Sequence, residues 1–460
     1  MRPVPHDDVD LGQPLGAGYS WRPSRRRSHW VEWMASALGP HSYVALLGEP
    51  SFFRLFLAGA ASAGGVGVTS VCLVWIVYAS TYSAWAIAAL GIATAVSGLA
   101  SSLISGVMVD RYDRQRLMVM SDTGRAVVLI ALALSFIALG FELWAFVVAS
   151  VLLAFFTAIF QPAEATFLPR LIPRGRIADA NGLLTSSQLI TGLAGTLLGG
   201  ALIVTVGVAS GLWAATITFA LSAVLIQAIV PPSPSAGRGS PAPMSERGSV
   251  IVEVRRGFEW LFAHRPILGF TLSSMAFNFL AAIPITFLVF YTTVALQGSA
   301  FLFALLTALG ALGGALGALA VGRLSALRHA GASWIVSYGL AGSLSVVALG
   351  VYHAVPVAAA ALFVLGFTQS YAATIWSSVV LIEVPASLQG RVMGVDSLLS
   401  IVLLPGAVVL GAFLIRLVGT QETYLLSGVA WAASALAFLA WKDLRTFRCE
   451  ETPSPGSMGQ

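Results

Sequence analysis

Charged residues are scarce in this chain. They make up 10% of its 460 residues, whereas a soluble globular protein carries about 25%. Hydrophobic residues account for 57%, and the mean hydropathy is +0.86. This composition excludes an ordinary soluble domain and argues against a basic nucleic-acid-binding arm. It predicts a protein that lies largely within a lipid bilayer.

Groups that carry catalytic or metal-binding chemistry are also scarce. The single lysine, Lys442, follows Trp441, so no Gly-Lys-Ser/Thr phosphate-binding loop is present. The six histidines show no metal-ligand spacing. Cys72 lies in an apolar run and Cys449 lies near the C-terminus, so we do not expect them to form a disulfide. We therefore expect no enzyme, no metal and no cofactor.

Long apolar runs recur from residue 52 onwards. Each is close to the roughly 20 residues that a helix needs to cross the hydrocarbon core. The runs are continuous and lack the alternation typical of a membrane barrel, so they predict helices. The twelve predicted spans are 52–78, 85–108, 117–139, 142–161, 181–206, 210–230, 267–293, 299–321, 333–352, 355–380, 394–418 and 423–441.

Basic residues cluster in alternate connections between these spans. If both tails and every even-numbered loop lie on one side, that side receives 23 of the 25 basic residues. The exceptions are Arg125 and Arg416, which lie within predicted spans. Because positive charge stays on the cytoplasmic side of a membrane, we predict an inner-membrane protein with both termini in the cytoplasm.

The segment GVMVDRYDRQR, residues 106–116, connects the second and third spans. It resembles the signature loop of the major facilitator superfamily, which reads glycine, three residues, Asp-Arg, two residues, then basic residues. Asp113 stands where the family usually has glycine, and Gln115 replaces a residue that is usually basic. The resemblance implies that five residues form a conformational gate: Gly106, Asp110, Arg111, Arg114 and Arg116.

Four further segments resemble the branch of that superfamily that includes macrolide-efflux proteins and the bacterial enterobactin exporter. They are Phe160–Pro173, Ala178–Leu184, Val252–Leu268 and Glu383–Leu399. The resemblance implies an all-α membrane protein of twelve transmembrane helices in two six-helix halves. An internal repeat supports the same two-half organisation. Asp110-Arg111 in the first half corresponds to Gly322-Arg323 at the equivalent position of the second half.

The predicted organisation has five parts. Residues 1–51 form a cytoplasmic tail, in which Arg25–Leu38 is either an interfacial helix or disordered. The N-terminal half covers 52–230 and the C-terminal half covers 267–441. A cytoplasmic linker with an amphipathic segment, 231–266, joins them, and a cytoplasmic C-terminal tail follows at 442–460.

The fifth span carries glycines at a spacing that resembles the pattern of exporters in the superfamily. Small residues permit close helix approach, and we expect this helix to pack against the other half as access alternates. The pattern favours export over import. Its glycines are Gly182, Gly195, Gly199 and Gly200.

Four charged residues within or beside the spans are candidates for energy coupling. Asp122 and Arg125, three residues apart, share one face of the third span. Either is expected to reach Glu164 or Asp396 across the bundle. We expect a structural clasp, with a proton relay as the alternative, and we place no acid at the centre of any span.

Polar or aromatic residues near the middle of the spans predict a cavity between the halves. The candidates are Thr69, Phe156, Asn278, Gln369 and Tyr371. Such a weakly polar, aromatic lining suits an amphiphilic small molecule better than a sugar.

Taken together, the sequence predicts a monomeric secondary exporter with a small-molecule substrate, protons as the coupling ion and the bilayer as its surroundings. A non-transporting accessory or immunity protein with a transporter fold is the second interpretation. An importer is the third.

Overall fold

The computed structural model describes residues 46–230, 250–321, 326–385 and 388–449. These ranges contain no β-strand and include twelve helical segments that are long and apolar enough to cross a membrane. The predicted all-α architecture with twelve spans is therefore confirmed. Three segments discussed above, Arg25–Leu38, Pro231–Gly248 and Gly322–Arg323, lie outside the described residues.

Six main helices form the N-terminal half, one helix, Val250–Ala263, lies in the predicted linker, and further main helices form the C-terminal half. They are α1 Pro50–Thr81, α2 Ala84–Arg111, α3 Arg114–Leu139, α4 Leu143–Phe167, α5 Ile177–Thr205, α6 Val208–Gln227, α7 Val250–Ala263, α8 Arg265–Thr286, α9 Ala300–Ala320, α10 Leu327–Val351, α11 Val355–Glu383, α12 Gln389–Val402, α13 Leu404–Val418, α14 Thr420–Ala440 and α15 Lys442–Arg445.

The eleventh span is built from two helices. α12 ends at Val402, and α13 begins at Leu404 with Pro405 in its first turn. Proline has no amide hydrogen and its ring blocks the preceding turn, so one helix ends where the next begins. The predicted span began at residue 394, whereas α12 begins at Gln389.

We call the end of the bundle with the α2–α3, α4–α5 and α11–α12 connections the basic end, and the other the opposite end. The turns at the opposite end are short. Gly140 and Gly419 there have φ angles of 79° and 96°, a region that glycine enters without a steric penalty.

Within each half, glycines bring two helices into close contact. A Cβ atom at Gly195 of α5 would overlap the carbonyl group of Gly64 on α1. In the C-terminal half, a Cβ atom at Gly366 of α11 would overlap the carbonyl group of Gly310 on α9. Because lipid gives no hydrophobic driving force between helices, such close packing contributes much of the attraction that holds each half together.

The two halves touch each other near the opposite end. Gly200 of α5 lies against α9, where an added Cβ atom would be 2.5 Å from Cβ of Ala304 and 2.9 Å from the carbonyl oxygen of Ala300. Gly91 of α2 faces Val408 of α13. The basic-end part of the same span, α12, packs instead on α7 and α8 of its own half.

The beginning of the predicted C-terminal tail is packed against the bundle. The side chain of Leu444 in α15 is fully buried, and it lies against Gly269 of α8. The amide of Cys449 donates a hydrogen bond of 3.1 Å to the carbonyl oxygen of Leu327. Residues 442–449 are therefore part of the folded C-terminal half.

Candidate functional site

A cavity of about 660 Å³ lies between the two halves. α1 and α5 contribute Ser70 and Leu189 from one half, and α9 and α11 contribute Phe303, Ala318 and Gln369 from the other. From Phe303 to Ala318 the cavity follows α9 for about 22 Å at 1.5 Å per residue. It therefore extends from the contact at the opposite end nearly to the basic end of α9.

Aromatic side chains close the cavity at the opposite end. The ring of Trp75 lies 6.3 Å from that of Phe303, and the ring of Tyr78 lies 4.8 Å from that of Phe290 in an edge-to-face arrangement. The hydroxyl oxygens of Tyr78 and Thr293 are 2.6 Å apart. These contacts join α1 to the C-terminal half, and the sequence analysis did not identify them.

A second cavity of about 480 Å³ is recessed into the wall of the N-terminal half. It shares Ser70 and Val74 with the first cavity, so the two are neighbours. Thr69, Gln161 and Arg125 line it. The side chain of Arg125 is thereby placed at the wall of the space between the halves.

Arg125 and Asp122 form a buried ion pair. Nη1 of Arg125 lies 2.7 Å from Oδ1 of Asp122, and the side chains are 2% and 0% exposed. The hydroxyl of Ser62 on α1 donates to the same carboxylate oxygen at 3.1 Å and accepts from Nη1 of Arg125 at 2.9 Å. A buried pair with such hydrogen bonds is stable only as a unit, because removing one partner leaves an uncompensated charge.

The guanidinium of Arg125 has aromatic neighbours. Its central carbon lies 5.0 Å from the ring centre of Phe160 and 5.2 Å from that of Phe219. Nη2 donates a 3.3 Å hydrogen bond to the carbonyl oxygen of Phe156. Nε is buried and has no hydrogen-bond partner among the described residues. The ring faces attract the cation electrostatically, while one of its donors remains available.

This pair lies further along its helix than the predicted span indicated. α3 begins at Arg114, so Asp122 and Arg125 lie about 12 and 16 Å along a helix of 26 residues. Arg125 is therefore close to the middle of its helix. Asp122 lies nearer the basic end of the helix, and α3 begins three residues before the apolar run that predicted the span.

Glu164 is the nearest other acid to this pair. Both of its carboxylate oxygens lie 2.9 Å from Nε2 of Gln188, which donates from α5. A small cavity of about 50 Å³, lined by Ser62, Arg125, Glu164 and Gln188, separates the two groups. A polar space of this size can hold a water molecule that bridges them.

Asp396 lies apart from this cluster. It is on α12 in the C-terminal half, where one carboxylate oxygen accepts a 2.9 Å hydrogen bond from the indole nitrogen of Trp376. The expectation that Asp122 or Arg125 reaches Asp396 across the bundle is therefore not met. The physical reason is that α12 packs on α7 and α8, away from α3.

Of the five predicted cavity residues, Gln369 lines the cavity between the halves and Thr69 lines the recessed cavity beside it. The other three do not. Phe156 faces a groove on the outside of the N-terminal half. The amide oxygen of Asn278 accepts a hydrogen bond from the hydroxyl of Tyr338, and Tyr371 is 7% exposed and stacked on a neighbouring phenylalanine.

In the predicted gate, the described side chains make local contacts. Asp113 caps α3, because its carboxylate accepts a 3.0 Å hydrogen bond from the amide of Arg116 and its other oxygen lies 3.9 Å from Nη1 of Arg170. An added Cβ atom at Gly106 would meet nothing within 4 Å. Arg111 and Arg116 are exposed and Arg114 is half-buried, while the side chain of Asp110 is outside the described part of the structure.

Three of the four exporter-like glycines lie in close contact with another helix, and the fourth does not. Gly195 and Gly199 face α1, and Gly200 faces the C-terminal half at α9, as we expected for this helix. An added Cβ atom at Gly182 would meet nothing within 4 Å. Close helix packing therefore explains three of these glycines and not the fourth.

Comparison with known proteins agrees with this architecture. The family model of the Major Facilitator Superfamily matches residues 55–400. The enterobactin exporter EntS of Citrobacter koseri is 25% identical over 356 residues, which cover 75% of this chain and 80% of that protein. The multidrug efflux pump Tap of Mycolicibacterium fortuitum is 25% identical over 388 residues, which cover 82% of this chain and 91% of that protein.

Solved structures show the same fold. A bacterial homolog of the human lysosomal transporter Spinster, in an inward-facing and unoccupied conformation, has a TM-score of 0.64 at 14% identity and covers 88% of this chain and 98% of that one. The nucleoside transporter NupG has a TM-score of 0.66 at 14% identity and covers 85% of this chain and 99% of that one.

Proposed function

Since this chain belongs to the Major Facilitator Superfamily, we propose that it is a secondary transporter that exports an amphiphilic small molecule by alternating access. The observation that carries the proposal is the cavity between the halves, which aromatic contacts close at the opposite end. Export is supported by the relatives named as an enterobactin exporter and a multidrug efflux pump.

The basic end faces the cytoplasm in this proposal. Basic residues are retained on the cytoplasmic side of a membrane, and they cluster at the connections of that end. On this proposal, a structure that aromatic contacts close at the opposite end is the state that takes up substrate from the cytoplasm for export. The few polar groups of the cavity, such as Gln369 and Thr307, suit a substrate with a small number of hydrogen-bonding groups.

Proton antiport is the proposed energy source, with Asp122 as the carrier. In the cytoplasm-facing state Asp122 is paired with Arg125, as an ionised carboxylate that has released its proton inward. When the opposite end opens, a proton binds to Asp122 and takes the place of the arginine as its partner. Arg125 then turns toward Glu164, across the small cavity that joins them.

The test is flux in proteoliposomes loaded with ethidium, tetracycline or erythromycin as amphiphilic probes. The unsubstituted chain is expected to accumulate at least one probe against its gradient when a pH gradient is imposed. Asp122→Asn is expected to abolish accumulation while downhill exchange of the probe persists, because the neutral amide cannot carry a proton. Asp396→Asn is the control, and it should leave accumulation largely intact.

Other outcomes decide between the remaining interpretations. Transport that ignores the pH gradient removes proton coupling, and full activity of Asp122→Asn makes the ion pair a structural clasp. Absence of flux for every probe, in protein that melts normally, favours the accessory or immunity role. Inward accumulation reverses the proposed direction.

Topology has its own test. Single cysteines replacing Glu142 and Glu422, which are exposed at the opposite end, should react with an impermeant maleimide in intact cells. A cysteine replacing Ser240 in the linker should react only after the cells are opened. Labelling of the linker from outside would overturn the proposed orientation.

A further inference from the structure

A wide groove lies on the outside of the N-terminal half. It is a groove of about 1000 Å³ lined by α3, α4 and the end of α6. Met120, Val127 and Leu152 form exposed apolar walls, with exposures of 43%, 58% and 39%. Gly124 forms the floor together with the ring of Phe156. The groove is part of the surface that a membrane surrounds.

Its length matches one leaflet of a bilayer. The lining of α3 runs from Arg116 at the basic end to Val128, which is about 18 Å along the helix. Half of a hydrocarbon core is about 15 Å thick. A chain that enters at the basic end can therefore follow the groove through one leaflet.

The mouth of the groove carries positive charge. Arg116 is exposed there and forms no ion pair with any described residue. Asp113, the acid at the mouth, is already engaged by the amide of Arg116 and by Arg170. The side-chain amide nitrogen of Gln115 donates hydrogen bonds to the backbone carbonyl oxygens of Ile226 and Ile229, each at 2.9 Å. Arg116 is thus the available partner for an anion.

We propose that this groove binds one anionic phospholipid from the leaflet at the basic end. One acyl chain lies along Met120, Val127 and Leu152, and the phosphate lies beside Arg116. A basic residue at the mouth of a groove between transmembrane helices is the arrangement that binds anionic headgroups. The apolar walls supply the affinity for the chain, and the charge supplies the preference for the headgroup.

The site is connected to the interior through Phe156. Its ring lies against Gly124 on the floor of the groove, and its carbonyl oxygen accepts the hydrogen bond from Nη2 of Arg125. A bound acyl chain therefore packs against the residue that helps to hold the buried ion pair. Lipid binding itself does not depend on the proposed transport function.

Native mass spectrometry of the full-length chain in detergent tests the proposal. Phosphatidylglycerol and phosphatidylcholine with identical acyl chains are titrated separately, and the first bound lipid is quantified. We expect phosphatidylglycerol to bind about fivefold more tightly, the effect of one well-placed basic residue near an anionic surface. Arg116→Gln should remove this preference, whereas Arg445→Gln, an exposed arginine at the same end, should retain it.

A second pair of variants tests the acyl chain. Val127→Trp fills the groove and should weaken binding of both lipids, while Leu436→Trp, on the exposed face of α14, should not. Equal melting temperatures establish that the variants are folded. The proposal is overturned if Arg116→Gln keeps the fivefold preference, or if glycerophosphoglycerol without acyl chains competes as well as the whole lipid. It is also overturned if a second copy of the chain occupies the groove, so that Val127→Trp separates a dimer and leaves lipid binding unchanged.

Discussion

Each half of this transporter buries a carboxylate, but the two carboxylates have different partners. In the N-terminal half, Asp122 is paired with Arg125 at 2.7 Å. In the C-terminal half, Asp396 accepts a 2.9 Å hydrogen bond from the neutral indole of Trp376. A cationic partner can leave the carboxylate when a proton binds to it. An indole N–H, by contrast, can donate a hydrogen bond to the carboxyl group whether or not that group is protonated. In the proposed mechanism, the exchangeable partner therefore belongs to the N-terminal half.

The surroundings of the two carboxylates extend this difference. Arg125 lines the recessed cavity beside the space between the halves, and Glu164 lies across a small polar cavity from it. Trp376 is part of an aromatic cluster, with its ring 5.8 Å from that of Phe270. The buried carboxylate of the N-terminal half therefore has charged neighbours, whereas that of the C-terminal half lies beside aromatic rings.

The largest effect should come from breaking the ion pair. Arg125→Gln leaves Asp122 buried without its cation, and we expect a loss of about 3–5 kcal/mol in the free energy of unfolding. Reversible unfolding in mixed micelles measures it. The double variant Asp122→Asn with Arg125→Gln should recover most of the loss. Unchanged stability of Arg125→Gln would mean that the pair is not formed in the folded protein.

Removing the indole donor should have an intermediate effect. Trp376→Phe keeps an aromatic ring beside Phe270 but leaves one oxygen of Asp396 without its donor, at a cost of about 1–3 kcal/mol. Unfolding free energies of this variant and of Trp376→Phe combined with Asp396→Leu provide the measurement. The combined variant should be the more stable of the two. The reverse order would contradict the role given to the indole.

The smallest effect should come from the hydroxyl group of Tyr338, which bonds a neutral partner in the C-terminal half. Tyr338→Phe removes the hydrogen bond to Asn278, and we expect a loss of about 1 kcal/mol. The matched change in the N-terminal half is Ser62→Ala, which removes contacts with both members of the ion pair. Hydrogen bonds to charged groups contribute about 1.5–3 kcal/mol. Equal losses of unfolding free energy in Tyr338→Phe and Ser62→Ala would contradict the difference between hydrogen bonds to charged groups and hydrogen bonds to neutral ones.

The fold could be predicted from the sequence because hydropathy alone identifies membrane spans. All twelve spans were placed correctly in number and order. The start of α3 was predicted three residues late, because the polar residues Arg114–Arg116 are helical and an apolar run does not include them. The interruption at Leu403 had a local signal in Pro405, which follows it by two residues.

The candidate site was only partly predictable. Phe156, Asn278 and Tyr371 were chosen for their depth, but depth does not tell which side of a helix faces the cavity. In a soluble protein the apolar face of an amphipathic helix packs on the core, so the sequence shows which side of the helix faces inward. Here the surrounding lipid is as apolar as the core, so little of this signal remains. The ion pair was found, because two charges three residues apart must share a helical face.

The packed C-terminal segment determines how the chain behaves toward thiol reagents. Burial, together with the nearby charge of Glu383, raises the pKa of Cys449 to about 11. Its sulfur therefore remains a protonated thiol at neutral pH, and the thiolate is the form that reacts with maleimides. Cys72 is fully buried in α1. The native chain should consequently give little background near pH 7, so that introduced cysteines can be labelled selectively without first removing the natural ones.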